Sequence, residues 1–183
     1  NKPGAVYLGV THRLDRPTTG IVVFAKTSKA LTRMNALFLN KNIAKTYWAV
    51  VKNKPVKQKN TLVNWLKKNP KNNKSSAYTK EVEQSKKAIL HYELIHSLDR
   101  YHLLEVNLET GRHHQIRSQL SAIGSPIKGD LKYGFDRSNS DGSIHLHARK
   151  ISFTHPVNEQ QITVLADPPN EVLWKECIHH IKT

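Results

Sequence analysis

Cysteine is almost missing from this chain, acids are scarce, and no long apolar run exists. Its 183 residues include one cysteine, Cys177, so no disulfide can form within it. That thiol lies in a C-terminal amphipathic pattern, as expected of a reduced core or surface residue, and a reducing cytoplasm is the simplest home for it. No apolar run approaches the ~18 residues of a membrane span, and the N-terminus has no apolar stretch of a secretory signal. A soluble, cytoplasmic protein without a membrane partner is therefore expected, and a monomer. His113-His114 and His145-x-His147 have spacings that invite zinc. With one cysteine and no closely spaced acid to complete a ligand set, however, no metal is expected.

What the chain has in excess is positive charge. Lysine and arginine number 29 against 14 acidic residues, for a formal charge of +15 and a pI near 10.0. Lys52, Lys54, Lys57, Lys59, Lys67, Lys68, Lys71 and Lys74 fall in one stretch that holds no acid at all. Lysines so crowded repel one another unless a polyanion neutralises them, and a nucleic-acid backbone does so with release of counterions. The competing reading, a solvated lysine-rich surface, fits a domain of such high pI less well. Charge alone does not separate RNA from DNA.

The most informative string is His12-Arg13-Leu14-Asp15-Arg16-Pro17-Thr18-Thr19-Gly20. Cations on both sides of Asp15 favour its ionised form, suited to act as nucleophile or cation stabiliser rather than as general acid. Pro17 locks φ and Gly20 permits positive φ, so a rigid turn presents the acid. Ile21 to Ala25 reads as a buried strand after it.

The rest of the chain predicts one α+β domain over residues 1–183, with a mixed, largely antiparallel central sheet and flanking helices. Ser28 reads as an N-cap for a helix with Leu31, Met34, Leu37 and Phe38 on one face. Ala44 to Val51 reads as a strand with Tyr47, Ala49 and Val51 on one side and Thr46, Trp48 and Val50 on the other. Residues 52–79 form a basic insertion or hairpin with a short strand from Thr61 to Leu66. Ile89 to Leu98 and His102 to Glu109 form an antiparallel pair, and a helix carrying Ile116, Leu120 and Ile123 ends at Gly124. Strands Ile144 to Thr154 and Gln161 to Ala166 and a final helix after Pro168-Pro169 complete the pattern.

These residues alone suggest one site: an anionic Asp15 ringed by Arg13, Arg16 and Arg117, with Tyr47 to stack a base. Arg117 lies one residue off the apolar stripe of its helix, on the side from which His113 and His114 rise. A carboxylate, an aromatic and a basic groove together suit chemistry on a nucleotide turned out of its stack.

The string at Asp15 resembles the His-Arg-Leu-Asp-x-x-Thr-Ser-Gly signature of the RluA-type RNA pseudouridine synthases. Further matches follow in order at Lys45-Thr46-Tyr47-Trp48-Ala49-Val50, Gly111-Arg112-His113-His114-Gln115-Ile116-Arg117, Gly129-Asp130-x-x-Tyr133-Gly134, and Leu146-His147-Ala148 with His155-Pro156. The resemblance implies that uridine in ribosomal or transfer RNA is detached at its N1 to C1′ bond, rotated and rejoined through C5. It implies Asp15 as the essential carboxylate, Arg117 as its ion-pair partner, and Tyr47 stacked on the target base and assisting proton removal from C5. Arg13 would fill the gap left by that base, while His114 and Gln115 would orient their helix or touch RNA. Lys52, Lys54, Lys57, Lys59, Lys67 and Lys68, with Arg16, would meet phosphates. No metal or organic cofactor is called for, because an isomerisation changes no redox state and imports no group. Whether Asp15 adds to C6 of the uracil, adds to C1′ of the ribose, or supports proton loss at C2′ is left open by the residues.

Members of the family ordinarily carry several tens of residues ahead of the aspartate motif, so the resemblance also implies a fragment or an unusual start. Lys2-Pro3-Gly4 is similar to a lysine-proline turn near the start of such enzymes but lies too close to His12 to be that element. Thr19 replaces the usual serine, and Gln119 stands where a histidine is common. The rival reading is a non-catalytic RNA-binding or ribosome-assembly module on the same scaffold. A phosphoryl-transfer nuclease is disfavoured, because the motif offers a single acid where two-metal chemistry wants several.

Overall fold

The computed structural model describes residues 6–179 and 181, and Lys2-Pro3-Gly4 lies outside them. The strands are β1 (Gly9–Val10), β2 (Thr19–Gly20), β3 (Phe24–Ala25), β4 (Ile43–Val51), β5 (Lys59–Asn69), β6 (Lys74–Tyr78), β7 (Lys86–Ser97), β8 (His102–Leu108), β9 (Leu146–Thr154) and β10 (Gln161–Leu165). The helices are α1 (Ser28–Leu39), α2 (Gln115–Ala122) and α3 (Val172–His179), with a 3-10 turn at Leu131–Tyr133. One eight-stranded sheet runs β10-β9-β4-β8-β7-β5-β6, with β2 added in parallel to β9 while every other pairing is antiparallel. β1 and β3 pair separately. The fold is α+β.

β4 sits at the centre because both of its faces are apolar. Tyr47, Ala49 and Val51 pack into a cluster with Ile116 and Leu120 of α2, while Trp48 and Val50 meet Trp174 and Cys177 of α3. The alternation read from the sequence is thus the alternation of two cores. Met34 of α1 closes a third cluster with Ile43, Ile151 and Phe153.

The register of β4 with β9 shifts between Thr46 and Tyr47, where Thr46 faces Lys150 and Tyr47 faces Ala148, so Arg149 is the extra residue. The Arg149 guanidinium lies over the Trp48 ring, 4.6 Å from its centroid. A bulge of this kind re-aims the side chains beside it, here at the start of the motif that carries Tyr47.

Three local expectations are corrected. Ile21 to Ala25 is not one buried strand: Thr19–Gly20 pairs with β9, Phe24–Ala25 pairs with β1, and Ile21 and Val23 between them pack half-buried on the α1 cluster. A short apolar run cannot by itself distinguish a strand from a link that packs sideways. The N-cap of α1 is Thr27, whose extended backbone lets Oγ1 accept from the Ala30 amide at 3.1 Å. The strand expected over Thr61 to Leu66 extends to Lys59–Asn69, because Leu62 and Leu66 supply a buried face while the lysines sit at its solvated ends.

Gly20 fixes where the aspartate motif meets the sheet. Its φ is +114°, and a Cβ added there would lie 2.4 Å from the Ala148 carbonyl oxygen and 2.6 Å from the Ala148 nitrogen. Neither atom is the end of a flexible side chain, so only glycine fits. Gly20→Ala should therefore lower the unfolding free energy in urea by at least about 3 kcal/mol. A loss below about 1 kcal/mol would show that β2 can detach from β9 at little cost.

Candidate active site

Asp15 opens a tight turn closed by the Thr18 amide, which donates to the Asp15 carbonyl at 2.9 Å. The turn is tied to the region of β9 three times. The Ile144 amide donates to Pro17 O at 3.0 Å, the Ile21 amide donates to Ala148 O at 3.1 Å, and Thr19 Oγ1 lies 2.8 Å from His147 Nδ1. On the other flank, Thr11 Oγ1 donates to Val23 O, and His12 Nε2 accepts from the Val23 amide at 3.0 Å. The acid thus projects from a braced turn, with its side chain about a quarter exposed.

Facing it is the start of α2. Arg117 is 5% exposed, and its Nε and Nη2 donate to the two carboxylate oxygens of Asp130 at 2.7 and 2.8 Å. Its remaining nitrogen, Nη1, reaches Asp15 Oδ2 at 3.4 Å, and the Tyr133 ring lies 4.9 Å from the guanidinium carbon. Burial works against the guanidinium charge, but the hydrogen bonds and charge of Asp130, followed by the charge of Asp15, outweigh it and raise the Arg117 pKa.

His114 is the left-handed N-cap of α2, with its Nε2 3.8 Å from Asp15 Oδ2. Burial first, then the charges of Arg117, His113 and Lys132, push its pKa down to about 3. The imidazole is neutral at ordinary pH.

Tyr47, half-buried on β4, lines the same cleft of about 1120 Å³ as Asp15, Arg117, Lys45 and Arg112. Burial, with the Asp15 charge second, pushes its phenol up to about 12. It therefore meets a ligand as a neutral phenol, a hydrogen-bond donor with an aromatic face. A second cleft of about 900 Å³ lies on the other side of Asp15 and is lined by Arg16, His113, Lys132 and Asn73.

Of the residues singled out in the sequence, Asp15, Tyr47, Arg117 and His114 come together. Arg13 and Arg16 do not ring the carboxylate: both are exposed on cleft walls, and neither forms an ion pair among the described residues. Neighbours on a tight turn diverge, whereas Arg117 arrives from another element.

Gln115 is 3% exposed and spent internally. Its Oε1 accepts from Thr110 Oγ1 and the Arg112 amide, both at 2.9 Å, and its Nε2 donates to Ile89 O at 3.0 Å. It ties α2 to its loop and to β7, which is the helix-orienting task of the two expected for it. Gln119 is likewise buried, donating to Asn64 Oδ1 at 2.8 Å.

The lysine run, continuous in sequence, is split in space. From Lys59 to Asn69, β5 spans ten steps of roughly 3.3 Å each, about 33 Å. At the far end, Lys52 pairs with Asp136 and Lys59 with Glu93 at 3.0 Å, while Lys54 and Lys57 occupy the loop between them. At the near end, Lys68 is opposite Ser75, whose Oγ donates to His113 O, and Lys74 lies over the Tyr133 ring. Lys67, one residue from Lys68, leaves the opposite face of the sheet.

Asp130 and Tyr133 received no role from the sequence, although they sit in the Gly129-Asp130-x-x-Tyr133-Gly134 string. The available signal was an acid inside a glycine-bounded motif of an acid-poor chain. The paired histidines have other work: His145 Nε2 lies 2.7 Å from Glu171, and His147 Nε2 lies 3.0 Å from Ala166 O. Among the described residues, no three His, Cys, Asp or Glu side chains are placed to hold a metal, and no helix is long and apolar enough to cross a membrane.

Residues 1–122 match the family described as RNA pseudouridylate synthase. An uncharacterized RNA pseudouridine synthase of Synechocystis is 32% identical over 88% of this chain and 50% of its own. The ribosomal large subunit pseudouridine synthase D of Zymomonas mobilis is 31% identical over 92% of this chain and 55% of its own. The tRNA pseudouridine synthase C of Pasteurella multocida is 30% identical over 92% and 75%. The chain thus spans about half the length of the first two relatives. In fold, it is similar to human RNA pseudouridylate synthase domain containing 4, with a TM-score of 0.75 at 23% identity over 96% of this chain and 76% of that one.

The neutral burial of His114 has a pH signature. Its pKa falls from 6.5 to about 3 on folding, so as pH drops through 6.5 the unfolded chain takes up a proton that the folded chain refuses. The stabilisation is complete above pH 6.5 and is lost progressively below it. Stability measured by urea unfolding should fall between pH 6.5 and 5, with His114 contributing up to about 1.4 kcal/mol per pH unit. His114→Gln should flatten that slope, and an unchanged slope would contradict the neutral burial.

Proposed function

The chain belongs to the RluA-type RNA pseudouridine synthase family, and on that premise we propose that it isomerises uridine to pseudouridine in a structured RNA. The observation that carries the reading is the convergence of Asp15, Arg117 and Tyr47 on one cleft, brought from a turn, a helix and a central strand. Relatives named for large-subunit ribosomal RNA and for tRNA leave both as the proposed substrate class.

Each residue then has a task that its surroundings suit. Asp15 is an acceptor-only carboxylate, exposed enough to reach a reacting carbon or to stabilise positive charge growing on the ribose. Arg117 keeps it oriented without neutralising it, because the better part of that guanidinium is taken by Asp130. Tyr47 offers a flat face to the uracil and a phenolic donor beside Asp15. With its phenol pushed up to about 12, it does not act as a standing phenolate base at neutral pH. Detaching and rejoining one base needs no oxidant and no imported group, so the proposed reaction calls for no organic cofactor.

The RNA approaches over a basic rim made of Arg13 and Arg16 on the turn and of Lys68, Lys71 and Lys74 at the end of the β5–β6 hairpin. Phosphate contacts supply most of the affinity, and turning the nucleotide out of its stack costs a few kcal/mol.

Rejoining through C5 must release the hydrogen on that carbon. Incubation with cellular RNA tritiated at uridine C5 should transfer label to water, and Asp15→Asn should abolish that release while leaving RNA affinity within about threefold. Absence of release from ribosomal and transfer RNA alike would favour a binding module on this scaffold.

A further inference from the structure

We propose that His114 is a positioning residue that presents a neutral Nε2–H to the Asp15 carboxylate, with its tautomer set by the hydroxyl of Tyr133. The inference rests on the reading of Asp15 as the essential carboxylate.

The Ser75 amide donates to the Tyr133 phenol oxygen at 2.8 Å, so that oxygen is already an acceptor. The same oxygen lies 2.9 Å from His114 Nδ1. A phenol has one hydrogen to give, and here His114 Nδ1 stands ready to accept it. If Tyr133 donates to Nδ1, the imidazole carries its hydrogen on Nε2, the nitrogen 3.8 Å from Asp15 Oδ2. The opposite tautomer would leave the phenol hydrogen unplaced and aim a lone pair at a carboxylate. Both consequences are unfavourable in a site this buried, since His114 is 8% exposed and Tyr133 is 2% exposed.

Protonating both nitrogens is opposed by burial and by the charges around the ring. Burial comes first, followed by the positive or potentially positive charges of Arg117, His113 and Lys132, and these outweigh the charge of Asp130, even with the Asp15 carboxylate 3.8 Å from Nε2. The ring is also fixed in place. It stacks on His113 at 3.8 Å between centroids and meets the Tyr133 ring edge-on at 5.6 Å. Its own backbone is held in the left-handed region, with φ 52° and ψ 30°, where the helix begins.

A neutral donor suits this place better than a second cation. Asp15 already shares Arg117, and a full imidazolium beside it would damp the charge that the reaction draws on. A neutral N–H instead directs one oxygen and leaves the charge intact. The 3.8 Å separation is longer than a hydrogen bond, and such contacts commonly tighten when substrate closes the site.

The test reads the tautomer directly. Long-range ¹H–¹⁵N spectra of the labelled protein at pH 7 should show His114 as the Nε2–H form, its signals identified by their loss in His114→Gln. In Tyr133→Phe the ring should move toward the Nδ1–H form. A wild-type His114 that is Nδ1–H or doubly protonated at pH 7 overturns the proposal. The spectrum is recorded without RNA, so it decides the tautomer whether or not the protein releases tritium. In turnover, His114→Ala should lose up to roughly a hundredfold in kcat with little change in KM, and His114→Gln, which keeps an N–H near the Nε2 position, should recover part of it. Equal loss in both variants would contradict the donor role.

Discussion

A single buried guanidinium holds the site together. Arg117 is almost sealed from solvent, and a charge so placed is stable only with matched partners. Asp130 receives two of its nitrogens in a fork, Tyr133 lies against its face, and Asp15 takes what is left. Two carboxylates therefore divide one cation unequally. Asp130 accepts through both oxygens and serves as foundation, while Asp15 accepts through one, at a longer distance, and faces the cleft. Under the proposed function, the reacting carboxylate is thus oriented yet incompletely paired.

The fold exists around that arrangement in a simple sense. The turn bearing Asp15 is braced on β9 through Gly20 and on the segment leading into β9 through Pro17, and the helix bearing Arg117 is fastened to β7 by Gln115. β4 runs between these supports with core on both faces, so Tyr47 sits on a strand packed from both sides. The β5–β6 hairpin brings cations to the rim and is held there by Lys132, which donates to Asn72 O at 3.0 Å. A site whose parts come from a turn, a helix and a strand depends on the whole sheet for its geometry.

Much of this was legible in the sequence. Alternation along β4, β7 and β8 gave their faces, because each pairs on both edges and packs on at least one side. The string around Asp15 pointed to an acid on a turn, and the spacing from Ile116 placed Arg117 on the correct side of α2. Other features were hidden by locality. Arg13 and Arg16 stand next to Asp15 in sequence but not against its carboxylate, whereas Asp130, 115 positions away, completes the site. The lysine run looked like one patch because a strand of about 33 Å is short in residue number. Spacing left Gln115 to orient its helix or to touch RNA, and only the fold shows its amide consumed within the protein. Pairings that depend on where two distant segments meet are not written in spacing.

The central claim is that the fork of Arg117, and not merely its charge, sets up Asp15. Arg117→Lys keeps one positive charge but gives up the planar donors that serve two carboxylates at once. Turnover on RNA tritiated at uridine C5, measured beside RNA affinity for the same variant, tests this most directly. Tritium release reduced by roughly a hundredfold or more, with affinity nearly unchanged, is the expected result. Turnover close to that of the unaltered protein would contradict it.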